Sequence, residues 1–168
     1  MNTATEGRGS ALMLGSRATA AIVPVAAAAW LGSRATLPNI PGWYAALQKP
    51  TLTPPNWVFG PAWTLLYSMM ALAFWRILSV PPGTPGRSVA VVTFGLQLVL
   101  NGAWSWAFFA ARSPALGGAT IVALLLAIAV AIAAARRVDR IAALLLVPYA
   151  CWVSFAAYLN AGVWWLNR

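Results

Sequence analysis

The sequence predicts an all-α membrane protein built as a five-transmembrane-helix bundle. Of its 168 residues, 61% are hydrophobic and only 8% are charged, and the mean hydropathy is +0.76. Because a soluble domain carries about 25% charged residues, most of this surface cannot face water. Five apolar segments are close to the roughly 20 residues that cross a bilayer. The predicted helices span residues 11–31, 57–78, 88–111, 115–135 and 141–166 of one domain, 11–168, which follows a flexible tail at 1–10.

The first helix, residues 11–31, contains two residues that are costly in hydrocarbon. Arg17 must lie near one end and extend its guanidinium to the headgroups, and Pro24 is tolerated where neighbouring helices satisfy the freed carbonyl. Trp30 is placed at the opposite interface, where aromatic residues concentrate. We expect this segment to stay in the protein as a helix rather than to be removed as a signal peptide.

A long connection, residues 32–56, separates the first two helices and carries Trp43 and Tyr44. Proline fixes φ and lacks an N–H donor, so this proline-rich loop is expected to be stiff and non-helical. The prolines that carry this expectation are Pro50, Pro54 and Pro55. A stiff loop with two aromatic side chains is predicted to form a lid over one end of the bundle.

The second and third helices each present a face of aromatic or polar side chains. Trp63, Tyr67 and Phe74 share one face of the second helix because they recur at helical spacing. The stripe on the third helix consists of Gln97, Asn101, Trp104 or Ser105, and Phe108. An amide in a hydrocarbon span is costly unless it meets a partner, a cavity or a ligand. Asn101 is therefore expected to hydrogen-bond a neighbouring helix or to face a ligand, and the two roles are compatible.

The fourth helix carries a column of alanines, each four residues from the next. The column consists of Ala119, Ala123, Ala127, Ala131 and Ala135. Small residues at this spacing let helices approach closely, either inside the bundle or at the seam of a homodimer. The fifth helix places Trp152, Ala156 and Asn160 on roughly one face and ends in Trp164 and Trp165, which are expected to anchor it at the interface.

Several functional classes are excluded by composition. The chain has no histidine, and its only acidic residues are Glu6 and Asp139. It therefore lacks the groups for the usual metal sites, for a pair of catalytic carboxylates and for a Ser-His-Asp centre. Its single cysteine, Cys151, excludes a disulfide framework. The formal net charge of +9 does not indicate nucleic acid, because the basic residues are scattered between apolar segments.

The basic residues also predict an orientation. One side of the membrane receives Arg8, Arg17, Arg76, Arg87, Arg136, Arg137 and Arg140, and the other receives Arg34, Lys49, Arg112 and Arg168. The positive-inside rule then places the N-terminus in the cytoplasm and the aromatic loop outside. With five spans, the two termini lie on opposite sides.

The aromatic and polar faces of three helices are predicted to converge beneath the lid. The second helix supplies Trp63 and Tyr67, the third Asn101 and Trp104, and the fifth Trp152 and Ala156. Such a cavity has flat walls and few hydrogen-bonding groups, which suits a large, flat, mostly apolar ligand. The alternative is that these tryptophans are core and interfacial residues without a ligand.

Four separated motifs occur in one order along the chain. They are Trp-Tyr-x-x-Leu-x-Lys-Pro-x-x-x-Pro-Pro at 43–55, Trp-Val-Phe-Gly-Pro-x-Trp-x-x-Leu-Tyr at 57–67, Gln-Leu-x-Leu-Asn-x-x-Trp-Ser at 97–105, and Pro-Tyr-x-x-Trp at 148–152 followed by Leu-Asn at 159–160. On these motifs the chain resembles the tryptophan-rich sensory protein family, TspO/MBR, also called translocator protein or peripheral benzodiazepine receptor. The resemblance covers about residues 13–167.

The resemblance implies a multi-pass protein of the bacterial cell membrane that is often a homodimer, with no required cofactor and no nucleic-acid partner. It implies a pocket for porphyrins such as protoporphyrin IX, and in some members for sterols or synthetic ligands. The matching pocket positions are Trp43, Tyr44, Pro54, Trp63, Tyr67, Asn101, Trp104, Trp152 and Ala156. The sterol pattern of animal members is incomplete, since Val153 and Tyr158 are followed by a basic residue only at Arg168.

The resemblance favours a sensor or handler of porphyrins. It leaves open light- and oxygen-dependent porphyrin breakdown, in which tryptophans would donate electrons. The alternatives are a transporter of porphyrin, sterol or another lipophilic ligand, and a scaffold that recruits partners through the basic cluster at Arg136, Arg137 and Arg140. Because the chain has no histidine, iron cannot be ligated as in globins, and the metal-free porphyrin is the expected ligand.

Overall fold

The computed structural model describes residues 3–168, with the side chains from Gly15 onward. Five long helices account for most of it: α1 (Thr3–Thr36), α2 (Asn56–Ser79), α3 (Arg87–Ser105), α4 (Pro114–Val138) and α5 (Arg140–Leu166). Short helical segments follow α1 at Leu37–Asn39 (3₁₀) and Ile40–Tyr44 (π), and α3 at Trp106–Ala110 (π). All five helices are long and apolar enough to cross a membrane, so the predicted fold class is confirmed.

The helices pack around a common axis in the order α1, α2, α5, α4 and α3, and α3 returns to contact α1. The half of the bundle nearer the N-terminus is densely packed. There Phe74 of α2 stacks on Phe94 of α3 with 4.3 Å between ring centroids, and Met70 and Leu146 are fully buried beside them. Its described side chains form one continuous core, and the cavity considered below lies at the opposite end.

The connection between α1 and α2 differs from its prediction. Residues 32–56 were expected to form a stiff, non-helical lid, but helical turns continue to Ala46 and only 47–55 are irregular. Pro38 and Pro41 fall in the first turns of the two short helices, where a missing N–H costs little. The lid is therefore mostly a helical extension of α1. At its other end α1 begins at Thr3, inside the segment predicted as a flexible tail, and residues 1 and 2 lie outside the described part.

The alanine column of α4 divides between two environments. Ala127, Ala131 and Ala135 are buried against neighbouring helices, whereas Ala119 and Ala123 are exposed on the outside of the bundle. α4 packs against both α3 and α5. The buried part of the column therefore serves packing within the bundle, which is one of the two roles predicted for it.

An ion pair joins α2 to the short turn between α4 and α5. Arg76 Nη2 lies 2.8 Å from Asp139 Oδ2, and Arg76 Nε donates to Oδ1 at 3.1 Å. Asp139 also caps α5 by accepting from the amide of Ala142 at 2.8 Å. Partial burial would raise the pKa of Asp139, but the hydrogen bonds from Arg76 and from backbone amides outweigh it and lower the pKa below its usual value. The ionised carboxylate thus stabilises the folded bundle.

We expect Asp139→Asn to keep the cap but lose the ion pair, which lowers the free energy of unfolding by about 0.5–1 kcal/mol. Asp139→Ala should cost about 1 kcal/mol more, because the cap is lost as well. Since the folded-state pKa is lowered, the contribution of the charge is present above about pH 4 and is lost as pH falls below it. Unfolding of detergent-purified protein between pH 3 and pH 7 measures both effects. Equal acid sensitivity in the wild type and Asp139→Asn would contradict this role.

Candidate functional site

A cavity of about 500 Å³ lies at the end of the bundle away from the N-terminus. Its walls come from the last turns of α1, α3 and α5 and the first turns of α2, and the segment Leu37–Tyr44 covers it. Among the described side chains that line it, none is charged, and aromatic rings form much of the wall. Its volume falls within the roughly 300–1,000 Å³ of small-molecule sites.

One wall consists of aromatic rings from α2 and α5. Trp63 stacks on Tyr67 with 5.2 Å between centroids and an angle of 29°, and it meets Trp152 edge-on at 6.5 Å. Phe59 completes this wall by an edge contact with Trp152 at 5.9 Å. Aromatic pairs in such geometries contribute about 0.5–1.5 kcal/mol each beyond their area, so the rings hold one another in place.

The opposite wall depends on the π-helical turn that ends the third span. The amide of Ala111 donates to the carbonyl of Trp106, five residues back, at 2.8 Å. This wider turn brings Phe108 and Phe109 inward together, where both are buried. Trp104 stacks on Phe108 at 5.6 Å. The lid joins this wall because Tyr44 contacts Phe109 at 5.5 Å and Trp43 contacts Phe108 at 5.4 Å.

Beneath the cavity, the amide of Asn101 links three helices. Tyr67 of α2 donates its hydroxyl to Asn101 Oδ1 at 2.8 Å, and Asn101 Nδ2 donates to the hydroxyl of Tyr149 on α5 at 3.1 Å. Asn101 is 3% exposed and does not line the cavity. Of its two predicted roles, the structure shows the interhelical hydrogen bond, and the ligand-facing role stays a prediction.

Gln97, one turn from Asn101 on the same stripe, has no comparable partners. It is 1% exposed, and neither its Oε1 nor its Nε2 has a hydrogen-bond partner in the part of the chain that the structure describes. A buried amide without partners is destabilising. The hydrogen-bonded amide of Asn101 thus stabilises the bundle, whereas the unpartnered amide of Gln97 destabilises it.

A second amide, Asn160 of α5, fixes the wall that contains Trp104. Its Nδ2 donates to the carbonyl of Pro114 at 2.7 Å, and its Oδ1 accepts from the indole of Trp104 at 3.4 Å. Gly117 makes room for this amide, since a Cβ at that position would lie 2.6 Å from Asn160 Oδ1. Asn160 therefore connects the start of α4 to the cavity wall.

Two contacts with α5 and the C-terminus hold the irregular part of the connection, residues 47–55. The backbone amide of Gln48 donates to Asn167 Oδ1 at 3.0 Å, and Asn167 Nδ2 donates back to the backbone carbonyl of Gln48 at 2.9 Å. Pro50 packs directly on Gly162, where an added Cβ would lie 2.7 Å from the proline ring. The segment is thus clamped to the end of α5.

Six of the nine predicted site residues line the cavity: Tyr44, Trp63, Tyr67, Trp104, Trp152 and Ala156. The other three do not. Trp43 packs behind the lid on Phe108 and Phe109, Pro54 lines a neighbouring recess, and Asn101 lies below the floor. Trp43 and Tyr44 are adjacent on a helical turn and point in different directions, so that Tyr44 lines the cavity while Trp43 packs on Phe108 and Phe109.

Sequence reasoning missed the contribution of α1 to the cavity. Ala29, Gly32, Ser33 and Thr36 line it. They recur at i, i+3, i+4 and i+7, so this face of small residues was visible as a helical pattern. Phe59 and Phe109 were missed as well. The sequence pattern did not indicate Phe109, because in a regular α-helix this residue would lie off the stripe of the third helix. The π-turn is what places it at the cavity.

The contrast between the two amides gives a matched pair of substitutions. Asn101→Leu should lower the free energy of unfolding by about 1–2 kcal/mol, because the hydroxyls of Tyr67 and Tyr149 lose their shared partner. Gln97→Leu should be neutral or stabilising, because it removes an unsatisfied buried amide. Thermal unfolding in detergent compares the two variants. An equal loss in both would mean that Gln97 makes stabilising hydrogen bonds, contrary to this interpretation.

The contact between Gly162 and Pro50 can be tested by adding one methyl group. We expect Gly162→Ala to push residues 47–55 away from α5, because the proline ring is rigid and cannot move aside. The backbone amide hydrogen of Gln48 should then exchange with deuterated water faster than it does in the wild type. Gly102→Ala is the matched control, since no heavy atom lies within 4 Å of an added Cβ there. Unchanged exchange in Gly162→Ala would show that the segment is held by other contacts.

Comparisons with known proteins show the family of the chain. Residues 20–166 match the TspO/MBR family. The chain is 45% identical over 125 residues to the tryptophan-rich protein TspO of Chlorobaculum tepidum, covering 74% of this chain and 79% of that one. It is 38% identical over 148 residues to the archaeal TspO of Archaeoglobus fulgidus, covering 88% and 95%. It is 42% identical over 127 residues to the human translocator protein, covering 73% of each. The chain is therefore an integral membrane protein of the TspO/MBR family.

Proposed function

We propose that the cavity binds a flat, conjugated, mostly apolar ligand of the protoporphyrin type, and that the protein acts as a sensor or handler of such tetrapyrroles. The observation that carries the proposal is that aromatic rings from the lid, α2, the end of α3 and α5 surround one space of about 500 Å³. Ring faces such as those of Trp63 and Trp104 can stack on a conjugated macrocycle. A sterol or another flat lipophilic molecule would use the same walls less completely.

The groups around the cavity favour a ligand without a coordinated metal. The sequence has no histidine, and the described residues contain no group of three possible metal ligands. Cys151, the only thiol, is exposed and does not line the cavity. Binding would therefore rest on stacking, apolar contact and a few hydrogen bonds.

Some relatives are named translocator proteins, which makes transport a second candidate. One observation favours exchange of ligand with the bilayer: Ser33 of α1, and Gly60 and Thr64 of α2, line the cavity and are exposed residues, so the wall between these two helices is not closed by buried side chains. The floor argues against passage through the protein. Below Asn101, Phe94 and Tyr149 are completely buried and the helices pack densely. Binding and sensing are thus better supported than translocation.

Titration with protoporphyrin IX tests the proposal, with the shift of the porphyrin absorbance band as the readout. We expect Trp152→Leu to weaken binding by about tenfold, because it removes one aromatic wall and the edge contact with Trp63. The matched control is Trp165→Leu on the same helix, since Trp165 is 60% exposed and does not line the cavity. Equal affinity in these two variants would contradict binding in the aromatic cavity.

A further inference from the structure

A second, more open recess of about 600 Å³ adjoins the aromatic cavity. Tyr44 and Asn56 line both spaces, so the ring of Tyr44 stands between them. Apart from Ala45, the remaining walls of this side recess come from the irregular segment before α2, including Lys49, Thr53 and Pro54. The two spaces therefore lie side by side under one part of the lid.

The side recess contains a positive charge, whereas the described wall of the aromatic cavity contains none. The ammonium of Lys49 lies 4.7 Å from the centre of the Tyr44 ring. It is fixed there by hydrogen bonds to the carbonyls of Leu47 at 3.1 Å and Ala45 at 3.4 Å. Carbonyl dipoles and a ring face orient the ammonium but do not cancel its charge.

Among the described residues, no side-chain carboxylate forms an ion pair with Lys49. Of the two acidic residues in the sequence, Asp139 pairs with Arg76 at the other end of the bundle, and Glu6 belongs to the beginning of α1. The other basic residues at the cavity end are also held without acids. Arg34 lies over Trp30, Arg168 over Trp165, and Arg112 donates to Asn39. The described charges at this end are thus positive, and Lys49 is the one among them that lines a recess adjoining the cavity.

We propose that Lys49 and the side recess form an anion subsite that receives a carboxylate of the ligand while its flat body occupies the aromatic cavity. The inference rests on the proposed function and adds a chemical requirement to it. A carboxylate is strongly disfavoured in an apolar cavity without a partner, but an ammonium at its edge provides one. The subsite therefore selects amphipathic, acid-bearing macrocycles over neutral flat molecules such as sterols.

The experiment compares protoporphyrin IX, which carries two carboxylates, with its uncharged dimethyl ester. Both are titrated against the protein in nanodiscs of zwitterionic phosphatidylcholine, and the absorbance shift is recorded. We expect the wild type to bind the acid about tenfold more tightly than the ester. Lys49→Gln should remove this preference by weakening binding of the acid alone, and Lys49→Arg should keep it. Arg168→Gln, a cation at the same end that lines neither space, should behave as the wild type.

Three results would overturn the inference. One is an acid-to-ester ratio that is the same in the wild type and in Lys49→Gln. Another is an equal loss of preference in Arg168→Gln, which would assign the effect to the general positive field. The third is a wild-type preference that disappears in anionic phosphatidylglycerol nanodiscs, which would assign the recess to a lipid headgroup. These results differ from failure of the proposed function, in which neither the acid nor the ester binds.

Discussion

The arrangement of this cavity depends on one buried amide. In hydrocarbon there is no water to satisfy a polar group, so Asn101 must find partners within the protein, and it finds Tyr67 on α2 and Tyr149 on α5. On each of these three helices, a tryptophan stands one turn nearer the cavity than the bonded residue: Trp63, Trp104 and Trp152. The junction therefore fixes the relative height and rotation of the aromatic walls, and of its three residues only Tyr67 lines the space they enclose. Asn101 thus positions residues that face the cavity.

The lid is likewise positioned by a few specific contacts that lie outside the cavity. A reciprocal amide pair, Gln48 with Asn167, and the contact of Pro50 on Gly162 attach residues 47–55 to the end of α5. The irregular end of the lid is therefore held at the end of the helix that also supplies one wall of the cavity.

The sequence was sufficient for the fold because helical periodicity and hydropathy are local properties. The four helices after the lid begin and end within about three residues of their predicted limits, when the π-turn that continues α3 to Ala110 is counted with it. The site was harder to predict, because it depends on how each helical segment is rotated about its own axis. The helical continuation of α1 through Pro38 and Pro41 moved Trp43 out of the cavity, and the π-turn moved Phe109 into it. Neither change of register is visible in a pattern that assumes one fixed helical period.

The π-turn at Trp106–Ala110 has a consequence for how this chain tolerates change in length. A π-turn holds one more residue than the α-helical turn it replaces, so it behaves like a single-residue insertion that the helix has absorbed. Deleting one residue there would let the span close as an ordinary helix and still cross the bilayer. The phenylalanine ring that contacts Tyr44 would then turn toward lipid. The third span would still have a normal length, but the cavity would have lost half of one wall.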